Sequence, residues 1–194
     1  SRTALRAKSR STLKLQPSNP CYNRPMKNWK KLRSEQGENL RIANVRFDTW
    51  KNPRNGVELK ATVLEMTDWV NIVALTPEGK ILVVKQFRLG TESVTIETPA
   101  GVMEEGEDSQ VAAMRELAEE TGYTTNDWTY LGWVEPNPAF QNNLCHQFLA
   151  KDIIRTHDTA QDEGEDIVFS EMTLDEVKNE IREGRMRNSL SLLT

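Results

Sequence analysis

Residues Gly101 to Tyr123 read GVMEEGEDSQVAAMRELAEETGY, and the reading of the whole chain turns on them. The stretch sets glycines, one arginine and several glutamates at spacings that chance rarely produces. A helix brings residues three and four apart onto one face, so Glu116, Glu119 and Glu120 are expected to project together. Val111, Met114 and Ala118 are expected to form the opposing apolar stripe. Three adjacent carboxylates repel one another and raise each other's pKa unless a cation sits among them, so the cluster predicts a bound divalent ion. Oxygen ligands alone favour Mg2+, with Mn2+ as a substitute. The absence of histidine and cysteine from the stretch argues against zinc.

Outward from this helix the pattern is one of strands. Ala43, Val45 and Phe47 alternate with Asn44, Arg46 and Asp48. After the turn signal NPRNG, Val57, Leu59, Ala61 and Val63 alternate with polar positions, so the two runs predict an N-terminal β-hairpin. Further strand-like runs are WVNIVAL, KILVVKQF, SVTIET, WTYLGWV, LCHQFLA and DIVFSEM, with a second helix expected over about Leu174 to Glu183. Many short strands with helices at two separated places predict an α/β class fold, a mixed β-sheet packed between helices in an α/β/α sandwich. The expected organisation is a basic leader over 1–20, a β-rich N-terminal extension over 21–65 that serves dimerisation, and a main domain over 66–194.

The 194 residues suffice to bury a full core. No run approaches the 18 or so apolar residues of a membrane span, so no membrane partner is expected. Only Cys21 and Cys145 are present, too few for a disulfide framework and consistent with a reducing, cytoplasmic setting. Residues 1–34 hold ten of the 25 Lys and Arg and no carboxylate, leaving 15 basic against 29 acidic residues, or −14, from 35 onward. An acidic body cannot displace counterions from a phosphate backbone, so nucleic acid is not an expected partner. The leader reads as a tail, a tag remnant or a transit-like segment.

The spacing G-x5-E-x7-R-E-U-x-E-E-x-G-U, with U a bulky apolar residue, is met at Gly101, Glu107, Arg115, Glu116, Leu117, Glu119, Glu120, Gly122 and Tyr123. This resembles the box of the Nudix hydrolases, enzymes that cleave a nucleoside diphosphate linked to another moiety with the help of divalent cations. The resemblance implies the same α/β/α sandwich. It also implies that Glu116, Glu119 and Glu120 hold metal and that Arg115 orients a box glutamate. Gly101 and Gly122 are expected to allow tight turns at the two ends of the motif.

Outside the box, VVKQFRLGTESVTIETPAG is similar to the Q-Y/F-R and E-L-P-A-G arrangement of the ADP-ribose and nucleoside diphosphate sugar pyrophosphatases, with Thr98 where leucine is usual. That likeness implies that Arg88 contacts substrate, that Glu97 helps to bind it, and that the Ala100 carbonyl is a metal ligand. Pro138 lies sixteen positions after Gly122, where ADP-ribose pyrophosphatases carry a proline, although Ala139 and Asn143 replace the usual glycine and acid of that loop. The run DEGEDI at 162–167 resembles the family loop that supplies a general base, Glu163, and a further metal ligand, Glu165. Related enzymes sandwich the base between aromatic residues, often across a dimer interface, which nominates Trp29 and Trp50. The competing role for Trp50, Trp69, Trp128 and Trp133 is core packing. His146 and His157 are isolated and expected to be structural.

The expected activity is Mg2+-dependent cleavage of ADP-ribose or another nucleoside diphosphate sugar to a nucleoside monophosphate and a sugar phosphate, by a homodimer. The alternatives are a Nudix hydrolase of nucleoside triphosphates or dinucleoside polyphosphates, and a nucleotide sensor without turnover.

Overall fold

Alternating apolar residues predict strands whose two faces meet different partners, and the computed structural model places them so. It describes residues 26–161 and 164–194. The leader over 1–20, Cys21 and the expected base Glu163 lie outside the described residues. The first three strands, β1 (Lys30–Asn39), β2 (Asn44–Lys51) and β3 (Glu58–Glu65), form an antiparallel sheet in that order. The strands β2 and β3 are the hairpin expected around NPRNG. All ten residues of β1 are exposed, and its sequence KKLRSEQGEN has no apolar alternation to announce it.

The expected facing of β2 needs correction. Asp48, assigned to the polar face, is fully buried, while Val45 and Phe47 are half-buried. The reason is ionic: Asp48 accepts hydrogen bonds from Ser34 Oγ at 2.5 Å and Arg46 Nη2 at 3.0 Å, and pairs with Lys31 Nζ at 2.8 Å. Burial alone would raise its pKa, but the bonds from Arg46, Lys31 and Ser34 hold it far below the ordinary carboxylate value.

The remaining strands are β4 (Trp69–Leu75), β5 (Ile81–Arg88), β6 (Ser93–Glu97), β7 (Ala100–Val102), β8 (Tyr123–Thr124), β9 (Asp127–Val134), β10 (Cys145–Lys151), β11 (Ile154–Arg155) and β12 (Val168–Met172). The helices are α1 (Ser109–Thr121), α2 (Leu174–Arg182) and α3 (Ser189–Leu193). The main sheet runs β12-β5-β4-β10-β9, with β6 added to β5 and β7 to β4, while β8 and β11 pair separately. It is mixed, since β10 lies parallel to β4 and the other pairings are antiparallel.

Because side chains alternate along a strand, Leu82 and Val83 enter different layers. Leu82 joins Val70, Ile72, Phe148 and the α1 residues Ala112, Ala113 and Leu117. Val83 joins Ile96, Val177 of α2 and Met186 on the other face. This is the α/β/α sandwich that the strand and helix pattern predicts.

The helix α1 begins at Asp108, whose carboxylate caps the N–H groups of Gln110 and Val111. It ends at Gly122, whose φ of 76° is left-handed and whose N–H returns to the Ala118 carbonyl. Its expected apolar stripe is wrong, because Val111 and Met114 are 54% and 41% exposed. The buried face is Ala112, Ala113, Leu117 and Thr121, and it includes Glu116 and Glu120. The two alanines let the helix approach the sheet closely, which carries these carboxylates inward with them. Tyr123 lays its ring edge-on to Phe169 and donates its hydroxyl to Glu171 at 2.8 Å, so a bulky residue with a polar tip suits the last box position.

Candidate active site

One guanidinium organises the acidic helix. Arg115 donates through Nε and Nη2 to the two oxygens of Glu107 at 3.0 and 2.9 Å, and through Nη1 to Glu116 at 2.8 Å and Glu119 at 3.1 Å. Its last donor meets the Val102 carbonyl at 3.1 Å. All five hydrogens of the group are thereby used, and Arg115 is fully committed to positioning acids and β7. These bonds, led by those to Glu107, raise its pKa, and the same contact lowers that of Glu107.

Glu116 and Glu120 are 8% and 2% exposed. Burial pushes the pKa of both upward. Glu120 reaches about 8, with the charge of Glu116 adding to burial, while the Ala100 N–H, donating to its Oε2 at 3.2 Å, works the other way. The charge of Glu165 contributes at both, so the structure brings Glu165 to this site.

Gly101 is required for a different reason than the expected turn. It lies within β7, and a Cβ there would stand 1.9 Å from Glu116 Cδ, so the glycine makes room for the carboxylate. At Gly122 the left-handed turn is real, and a Cβ would also stand 2.2 Å from the His157 carbonyl oxygen.

Two buried acids with few donors are short of positive charge, and their hard oxygens fit a divalent cation such as Mg2+ or Mn2+. Among the described residues, however, no three acidic, His or Cys side chains already converge as a metal cage. Glu119 is tied to Arg115, and its side chain is 41% exposed. Glu116 and Glu120 are the buried pair that fits such an ion, whereas Glu119 shares the Arg115 Nη1 donor with Glu116 from the more exposed side.

Beside these acids lies a cavity of about 560 Å3, bounded by Ala100, Gly101 and Val102 at the box and by Arg88, Glu97 and Trp69 along the strands. Arg88 meets Glu97 in a two-pronged bond, Nε to Oε1 at 2.9 Å and Nη2 to Oε2 at 2.7 Å. Glu97 is 1% exposed; burial raises its pKa, but the bonds from Arg88, Thr95 and Asn188 outweigh this and leave it lowered. Thr98, where leucine is usual in the resembling family, is buried. Its hydroxyl bonds Asn71 Oδ1 at 2.5 Å and Ser191 Oγ at 3.1 Å.

The structure therefore gathers Arg88, Glu97, Ala100, Glu116, Glu120 and Glu165, with Arg115 and Glu119 at their margin. Trp29, Trp50 and Pro138 do not line the cavity in this chain. Trp50 takes Lys31 Nζ over its ring at 5.0 Å within the three-stranded sheet, Trp29 is exposed, and Pro138 sits on an exposed loop. Asn143 is buried and bonds the Thr67 carbonyl, and His146 and His157 bond Tyr130 and Thr156. Trp128 packs on the main core, whereas Trp133 is 55% exposed.

Sequence reasoning missed Arg41 and Ile42 from the β1–β2 connection, and Asn71, Asn188 and Ser191. Asn71 alone left a signal, as an amide in the apolar run WVNIVAL that burial obliges to find partners.

A mixed sheet sandwiched by helices, with an acid-bearing helix against a glycine strand, defines the class, and the comparisons agree. The family description "NUDIX domain" matches residues 67–193, and the chain belongs to that family as a Nudix hydrolase. Nudix hydrolases use divalent cations. The chain is 34% identical over 165 residues to the methanol dehydrogenase activator of Bacillus methanolicus, covering 84% of this chain and 89% of that protein. It is 37% identical over 123 residues to an ADP-ribose pyrophosphatase of Bacillus subtilis (strain 168), covering 63% and 66%. A solved ADP compounds hydrolase shares the fold with a TM-score of 0.75 at 21% identity, over 88% of this chain and 91% of that one.

Proposed function

We propose that this chain hydrolyses ADP-ribose or a related nucleoside diphosphate sugar to a nucleoside monophosphate and a sugar phosphate, with Mg2+ as its cation. The observation that carries this reading is a cavity walled by the Arg88–Glu97 pair, whose edge at Ala100 and Gly101 lies directly against the buried acids Glu120 and Glu116. Its volume of about 560 Å3 suits a molecule of that size. The similarity to an ADP-ribose pyrophosphatase supports the substrate class.

Arg88 binds the diphosphate, since a guanidinium fixed on one side by a carboxylate presents its remaining surface as a rigid anion contact. Glu97 acts through Arg88. Glu116 and Glu120, with Glu119, Glu165 and the Ala100 carbonyl, hold the cation, and Arg115 orients Glu116 and Glu119. When bound, the cation neutralises phosphate charge and makes water easier to ionise. Glu163 serves as the base that takes the proton from the attacking water. Trp29 and Trp50 contribute to base recognition from a second copy of the chain, in a cytoplasmic homodimer formed through residues 21–65, and Pro138 contributes to substrate binding. The exposed apolar residues Met26, Leu32 and Ile42 support that interface.

The experiment is incubation with ADP-ribose, a panel of sugar nucleotides, nucleoside triphosphates and dinucleoside polyphosphates, each with Mg2+, followed by chromatography. Nucleoside monophosphate from the diphosphate sugars is the expected product. Turnover confined to triphosphates or polyphosphates, or binding without product across the panel, refutes the reading.

A further inference from the structure

The stretch 187–191 runs from the connection after α2 into α3 and is bonded along β6, from Ser93 at its start to Thr98 just past its end. Arg187 Nη2 donates to Ser93 Oγ at 2.6 Å, Thr98 donates through its backbone N–H to Ser191 Oγ at 3.2 Å, and Asn71 Nδ2 donates to the Leu190 carbonyl at 3.0 Å. In the middle of this lacing, Asn188 uses both ends of its amide. Its Oδ1 caps α3 by accepting the Leu190 N–H at 2.9 Å, and its Nδ2 donates to Glu97 Oε2 at 2.7 Å.

That second bond completes the partners of Glu97. A carboxylate offers about four acceptor positions. Here Oε1 takes Arg88 Nε and Thr95 Oγ1, and Oε2 takes Arg88 Nη2 and Asn188 Nδ2. A saturated, buried carboxylate has a single orientation, and a guanidinium bonded to it by two prongs shares that orientation. Thr95 lies on the same strand as Glu97 and cannot locate the pair relative to the rest of the cavity. Asn188 comes from the far end of the chain and itself lines the cavity, with Leu190 and Ser191 beside it.

We propose that Asn188 is a positioning residue for substrate binding, whose Nδ2 donor fixes Glu97 and through it aims the Arg88 guanidinium into the cavity. This rests on the reading of that cavity as the site for a nucleoside diphosphate sugar. The amide divides its work in a way that allows a separation: aspartate keeps a capping oxygen for α3 but has no donor for Glu97, and serine keeps a capping oxygen whose O–H sits on a side chain too short to take the place of the amide nitrogen.

The test uses Asn188→Asp and Asn188→Ser in the full chain, in wild-type and Arg88→Lys backgrounds. Binding of ADP-ribose is measured by calorimetry without metal, and KM and kcat are measured with Mg2+. In the wild-type background both variants should raise Kd and KM about tenfold, the size of one charge-assisted hydrogen bond. They should leave kcat within about twofold, and Asn188→Ser should leave the melting temperature near that of the wild type, whereas Asn188→Asp lowers it by setting a second carboxylate against buried Glu97. In the Arg88→Lys background, where the two-pronged contact is already lost, neither should weaken binding further. Wild-type affinity in both variants overturns the proposal, as does an equal loss in the two backgrounds or a fall confined to kcat. If the wild-type protein neither binds nor cleaves ADP-ribose or the sugar nucleotides, the functional reading falls and takes this inference with it. A wild type that binds, with silent Asn188 variants, sinks the inference alone.

Discussion

Gly101→Ala should separate the fold from its chemistry. The new methyl would stand 1.9 Å from Glu116 Cδ and 2.2 Å from each carboxylate oxygen, with no backbone atom among its nearest neighbours. Relaxed carbon contacts lie at about 3.5–4.0 Å, so the carboxyl group must move by roughly 1.5–2 Å. A glutamate can swing that far by changing rotamer, so the cost to stability should be about 1–2 kcal/mol. The bond from Arg115 Nη1 to Glu116 Oε1, 2.8 Å long, cannot survive the shift. Misplacing a reacting group by about 1 Å can cost on the order of a hundredfold in rate. Turnover of ADP-ribose should therefore fall about a hundredfold at fixed Mg2+, while KM changes less than about threefold because Arg88 and Glu97 are held elsewhere. Monophosphate release across a Mg2+ titration, with a melting curve alongside, reads both effects. The double variant Gly101→Ala/Glu116→Gln should be no worse than Glu116→Gln alone. Near-normal turnover in Gly101→Ala, or a full further loss in the double variant, would refute the reasoning.

Three other outcomes follow from the geometry. The metal-free protein should lose stability between pH 5 and pH 8: burial lifts Glu120 from 4.5 to about 8, so its contribution is whole below the unfolded value and is lost as pH rises through the folded one. Melts in chelator should fall over that window and recover on adding Mg2+ at pH 8; a rising curve contradicts the burial argument. Thr98→Leu removes the hydroxyl that donates to fully buried Asn71 Oδ1, and should cost about 1–3 kcal/mol in denaturant unfolding, with no loss if that bond is immaterial. Gly79 and Gly122 share a φ of +76°, but only Gly122 faces a backbone oxygen, so Gly79→Ala should cost about 1 kcal/mol and Gly122→Ala clearly more. Equal losses would show that crowding by His157 is unimportant.

The box was legible because helical spacing and glycine placement are local properties of the chain. The strands β4, β5 and β10 were legible because their apolar runs sit bounded by turns. The facing of α1 was misread because acids and apolar residues were assigned to opposite sides, whereas this helix buries Glu116 and Glu120 beside Leu117. The strand β1 left no apolar pattern, since it is tied down by pairing with β2 and by the Lys31 and Ser34 contacts to Asp48. Arg41 and Asn188 reach the cavity only through the tertiary fold, from segments roughly 150 residues apart in a chain whose ends must first meet. No local spacing encodes such a meeting.

The parallel pairing of β4 with β10 joins strands whose partners, such as Asn71 and Gln147, are 76 positions apart. Contacts of that span form slowly, because a long loop must close before any ladder bond repays it. On the ribosome, β4 must wait for β10, 76 positions further along, to emerge. A chain arrested before Cys145 could wind α1 yet would leave one edge of β4 bare, and with it a hydrophobic flank that invites self-association or chaperone capture.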